Sequence, residues 1–130
     1  MKRSVVSIIT GLAAIDLLAL AGDSVLERLD PDAYDAMGFT TDTDVLLISL
    51  LYTTLFAALG GWIAAKIGRR EDLRDTWILA GIQFLMTLTA SVMLFDLRML
   101  WYYLASLVLS AAGILAGGRL GTRRSVAAAA

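Results

Sequence analysis

Neither histidine nor cysteine occurs anywhere in the 130 residues, and proline occurs once. Without a thiol or an imidazole, the chain cannot close a disulfide, hold zinc or an iron–sulfur cluster through Cys, or ligate haem or chlorophyll through His. Nucleophilic schemes that need either group are excluded too, and no cofactor or metal is expected. Charge is also scarce, at 18% of residues against about 25% in an ordinary soluble domain. Apolar residues fill the gap: they make up 58% of the chain, with a mean hydropathy of +0.74, where soluble domains run near 45–50%. The expected solvent is a lipid bilayer.

Crossing the hydrocarbon takes roughly 17–25 mostly apolar residues, and four runs meet that length: 5–21, 45–67, 77–95 and 99–120. So little lies outside them that residues 1–130 read as a single transmembrane domain, an all-α four-helix bundle. Charge orients it. The N-terminus, the 66–75 segment and the C-terminal end together hold nine basic residues against Glu71, Asp72 and Asp75. The opposite ends hold Arg28 and Arg98 against eight acidic residues. Lysine and arginine favour the cytoplasmic side, so both termini are expected there, in a bacterial inner membrane. Trp77 at one edge and Trp101, Tyr102 and Tyr103 at the other suit interfacial aromatic belts.

The strongest pattern is a ladder of small residues that occurs twice. Thr53, Ala57, Gly60, Ala64 and Gly68 are matched 53 positions later by Ser106, Ser110, Gly113, Gly117 and Gly121. The steps of three and four follow one helix face, and such small-xxx-small faces let membrane helices approach closely. Lys66 and Arg70 are matched in the same register by Arg119 and Arg123. A weaker match of Gly11 to Gly81 extends the correspondence to the first and third runs. The expected architecture is therefore a parallel two-helix repeat about an axis along the membrane normal, with spans two and four meeting along Gly60/Ala64 and Gly113/Gly117. An oligomer face is the alternative use of the ladders.

The connections carry local signals. Residues 1–24 share features of a secretory signal, a basic start and an Ala19-Leu20-Ala21 site, but Asp16 interrupts the apolar run. In the outer loop, 23–44, Ser24-Val25-Leu26-Glu27 fits a capping box, and Asp30-Pro31 with Gly38 fits a short helix. One or two short helices are expected there as a lid. The loop's acidic residues lack the glycine and terminal glutamate of a calcium loop and read as a solvated surface. Asp42-Thr43-Asp44 suits a helix start. The inner loop, 68–76, is short and charged, and Asp96-Leu97-Arg98 joins the last two spans.

Tyr52 before Gly60-Gly61-Trp62-Ile63-Ala64-Ala65-Lys66, with Trp101-Tyr102 and Ala116-Gly117-Gly118-Arg119-Leu120 later, resembles a broad group of small, uncharacterised four-helix bacterial inner-membrane proteins. The likeness covers mainly the second half of each repeat. It implies a bacterial inner membrane and four spans, and brings no catalytic residue.

Asp16 is the one formally charged residue in the middle of a span. An ionisable group there is costly and is usually paired or functional. It lies about six residues, roughly 9 Å, from the expected outer end of its run. At similar depth are Tyr52, Thr53, Thr89, Tyr102 and Ser106, so a hydrogen-bonded polar layer, a proton or cation pathway and a partner contact are the readings to weigh. No second membrane carboxylate is present to make an acid–base pair, so the protein is not expected to be an enzyme. Ser4, Ser7, Gly11 and Ala14 share a face about 160° from Asp16, which leaves one of the two directions for association. Four short spans also leave little interior for a substrate. The favoured reading is a non-catalytic accessory or assembly subunit, or a self-associating scaffold, partnered by lipid and by other membrane subunits or itself. A small proton- or cation-coupled transporter or channel using Asp16 is the alternative. Nucleic-acid binding has no support beyond the basic residues that set topology.

Overall fold

A computed structural model of the chain describes residues 2–36, 40–68, 73–93 and 100–129, with side chains to 123 in the last stretch. Four α-helices account for nearly all of it: α1 (Lys2–Leu29), α2 (Thr43–Gly68), α3 (Arg74–Met93) and α4 (Leu100–Ala129). Each is long and apolar enough to cross a membrane. Large aliphatic side chains stand outward, with Leu17 at 67% exposure and Val92 at 68%. Water would penalise such a surface heavily, and lipid accepts it. The molecule is a multi-pass membrane protein.

Helix α1 continues eight residues past the end expected from hydropathy. The Ser24–Glu27 pattern does not start a new helix, because the backbone arriving at Ser24 is already helical and its N–H groups are already bonded. Asp30 N–H still donates to Leu26 O at 3.1 Å; Pro31, with no N–H and a ring that disfavours helix before it, stops the run. The outer loop then holds one 3-10 turn, Pro31–Ala33, without a side-chain cap from Asp30. Tyr34 and Thr40 form an isolated bridge. Gly38, with Met37 and Phe39, lies outside the described residues, as do residues 69–72 and 94–99. The α2 start follows its sequence signal: Asp42 Oδ1 accepts from Asp44 N–H at 2.9 Å.

Packing is densest between α2 and α4, then between α1 and α2. Lipid tails are as apolar as leucine, so burial alone does not drive helices together in a membrane, and close van der Waals approach must. The α2–α4 seam supplies it. A Cβ on Gly117 would fall 1.8 Å from Ala58 O, one on Gly61 2.1 Å from Ile114 O, and one on Gly113 2.8 Å from Thr54 O. From Thr54–Gly113 through Ala58–Gly117 to Ala65–Gly121 the contacts advance in the same direction along both helices, so α2 and α4 run parallel. Gly121 closes the seam against Ala65 and Trp62.

The two ladders do not face each other along their length. They meet at Ala57, 3.3 Å from the Cβ position of Gly113, but Gly60 and Ala64 turn to α1. There a Cβ on Gly60 would meet Ile15 and Gly11 O, and one on Gly11 would meet Gly60 O and Ala64. The cause is that α2 lies between two helices and needs small residues on two faces. Gly60 and Gly61, about 100° apart on the helix, serve one face each. At the crossing, Ile15, Ala57, Ala64, Leu79, Ala80 and Ile114 form the buried core.

Candidate polar cavity between the four helices

Helices α1 and α3 are pinned at their basic ends. Asp75, in the first turn of α3, is 4% exposed. It accepts hydrogen bonds from the Ser4 hydroxyl and from Ser7 Oγ at 3.0 Å, the latter also directed at Ser4 O at 2.8 Å. Gly68 makes room for the carboxylate, since a Cβ there would lie 2.6 Å from Asp75 Oδ2. A turn further along, Gly11 packs on Leu79. The Ser4–Ser7–Gly11 face of α1 is therefore consumed inside the bundle.

Beyond Leu79 a cavity of about 230 Å³ lies between all four helices. From α1 it takes Ile15, Asp16 and Ala19; from α3, Gln83, Thr87, Ala90 and Ser91. The outer rungs of both ladders complete it, Thr53 and Ala57 on α2 with Ser106 and Ser110 on α4, beside Tyr102 and Tyr103. This volume is many times the roughly 10–15 Å³ that one water needs. The interior is thus larger than four short spans led us to expect. Asp16, at the midpoint of the lengthened α1, sits on the flank of its packing face and borders this space. Its angular separation from the Ser4–Gly11 face therefore does not force either group toward lipid.

Four of the six polar positions singled out in the sequence line this cavity: Asp16, Thr53, Tyr102 and Ser106. Tyr52 lies in a chain of hydroxyls beside it. Its OH donates to Asp23 Oδ1 and accepts from Ser49 Oγ at 3.3 Å, and Ser49 Oγ is 3.2 Å from Tyr102 OH. Thr89 takes no part: it is exposed on α3, and its hydroxyl donates to Leu85 O of its own helix at 2.8 Å. Among the described residues Asp16 has no hydrogen-bond or ion-pair partner, so the layer of hydroxyls donating to it does not form. Gln83 Oε1 is also buried without a partner. Sequence reasoning did not place Gln83 in the site. It missed the Asp75 cluster, although Ser4 and Ser7, one turn apart at the start of an apolar helix, were the visible half of it.

At the acidic end, burial and then the nearby carboxylates of Asp23 and Glu27 push the Tyr34 phenol above its ordinary value. Tyr102 and Asp30 add to that field, so a concentration of negative charge borders the side of the bundle where the cavity lies. Among the described residues no group of three or more acidic side chains could hold a metal ion. In comparisons with known proteins the chain matches no family, and neither a curated protein nor a solved structure proves similar to it.

Proposed function

We propose that this protein binds a small solute inside its bundle and moves it across a bacterial inner membrane, with Asp16 as the coupling carboxylate that carries a proton or takes a cation. The observation that carries this reading is the placement of Asp16 on a cavity shared by all four helices, where it has no protein partner among the described residues and Gln83 Oε1 has none either. Unsatisfied polar groups in a membrane interior are expensive. A structural carboxylate would be expected to have acquired partners from the hydroxyls around it, as Asp75 has. The Lys/Arg distribution supports both termini in the cytoplasm, an orientation that would put the cavity toward the outer leaflet. The identical spacing of the two ladders supports an internal duplication, in which the first helix of each pair diverged most. The test is proton flux into liposomes carrying the purified protein under an imposed pH gradient and potassium potential. The wild type is expected to exceed Asp16→Asn, and equal rates would overturn the reading.

A second reading, an accessory or self-associating membrane subunit, is favoured by α3. Gly81 is exposed, nothing lies within 4 Å of its Cβ position, and Trp77 and Leu85 stand out beside it. This notch is a place where a further helix fits, whereas the small face of α1 is already occupied. Mass measurement in nanodiscs tests it: loss of an oligomer or of a co-purifying subunit in Gly81→Ile is the supporting result, and a wild-type monomer without companions is the opposing one.

A further inference from the structure

We infer that the solute is a small organic monocation, an alkylammonium bearing N–H groups, held in the cavity by Asp16 and Gln83. This rests on the solute-site reading above and names the chemical class that the wall selects.

Several of the wall's polar groups present acceptors. Thr53 Oγ1 donates to Ser49 O at 2.7 Å, Ser91 Oγ to Thr87 O at 2.7 Å and Ser110 Oγ to Leu107 O at 3.3 Å. Each hydroxyl proton is directed into its own helix backbone, so each oxygen keeps lone pairs for the cavity. Gln83 Oε1 is a further acceptor without a donor, and an ionised Asp16 accepts only. Among the described residues no lysine or arginine lines the space. An anion would find no counter-charge there, and a zwitterion would leave its carboxylate unpaired, a heavy cost at this depth.

Asp16 is the one carboxylate among the described residues that line the space, and it sets the charge at one. A divalent metal ion calls for several oxygen ligands of high charge, and no acidic cluster is present among the described residues. About 230 Å³ is also far more room than a bare alkali ion needs. The other part of the wall is apolar, with Ile15, Ala19, Ala57 and Ala90, and suits a short hydrocarbon tail. Tyr102 and Tyr103 also belong to the lining, and an aromatic ring is compatible with a nearby cation. The acidic end, with Asp23 and Glu27 near Tyr34, raises the local concentration of cations at that side.

The experiment uses the full chain in nanodiscs and three probes of one chain length: n-butylammonium, n-butanol and butyrate. Binding is read by native mass spectrometry and calorimetry. Butylammonium is expected to bind one to one, and Asp16→Asn and Gln83→Leu are each expected to weaken it by roughly tenfold or more. Asp16→Glu is expected to retain binding, which separates loss of charge from loss of fold. Butanol and butyrate are expected not to bind at the same concentration. Binding of either one, blocked by the space-filling Ser106→Trp, would overturn the cation assignment and leave the solute site standing. Failure of butylammonium to bind the wild type, or unchanged affinity in Asp16→Asn, would overturn the assignment whatever the proton-flux result.

Discussion

The carbonyl oxygen of Ala58 occupies the place where a side chain on Gly117 would begin, 1.8 Å from its Cβ position. Backbone therefore touches backbone across the α2–α4 seam, and no rotamer change can relieve an added carbon. Gly117→Ala and Gly117→Leu are both expected to lower stability in detergent by about 1–3 kcal/mol or more through overpacking. Gly81→Ala is the control, since its Cβ meets nothing within 4 Å and alanine favours helix. Thermal unfolding followed by circular dichroism should show the first two melting earlier and the third unchanged or later.

Asp75 is expected to behave as a structural carboxylate. Asp75→Leu leaves the Ser4 hydroxyl without its acceptor and removes one of the two acceptors of Ser7, and should cost more than Asp75→Asn, which keeps an acceptor oxygen. Ser7→Ala, which removes a donor to a buried charge, should cost about 1.5–3 kcal/mol. Equal melting of all three variants and the wild type would show that the tie between α1 and α3 contributes nothing.

Tyr52 and Asp23 link α2 to the far end of α1. Tyr52→Phe and Asp23→Asn should each destabilise, and the double variant should lose less than the sum, by roughly 0.5 kcal/mol or more of coupling. Additive losses in that double-mutant cycle would mean the two groups act independently.

The charge asymmetry predicts a topology. A reporter fused after Ala130 should remain cytoplasmic, and a labelling site introduced at Asp32 should react from the outside. A periplasmic reporter would reverse the orientation of the cavity as well.

Much of this molecule was legible from composition and period. Long apolar runs named four helices, and Asp42-Thr43-Asp44 named the start of α2, because these signals act within a few residues of themselves. The partners of a helix face were less legible. The ladder containing Gly60 was read as one surface, while α2 needed two, and the tandem Gly60-Gly61 was the clue. Asp75 was read as a loop charge because its burial depends on Ser7, 68 residues away. Thr89 looked equivalent to Thr53 in depth, but depth along an axis says nothing of direction around it. Asp16 was singled out as unusual within a span; the volume beside it depends on residues from all four helices, which no local pattern records.

The tie of Asp75 to Ser4 and Ser7 also makes α1 a lever with its fulcrum near the basic surface. Asp16 lies about nine to twelve residues along, an arm of roughly 14–18 Å at 1.5 Å rise per residue. A tilt of about 10° about that fulcrum carries the carboxylate by about 2–3 Å, the length of a hydrogen bond. On the reading proposed above, a rocking of that size would engage or release a solute at Asp16, and it would have to loosen the Gly11–Gly60 contact and the Tyr52–Asp23 hydrogen bond that hold α1 against α2.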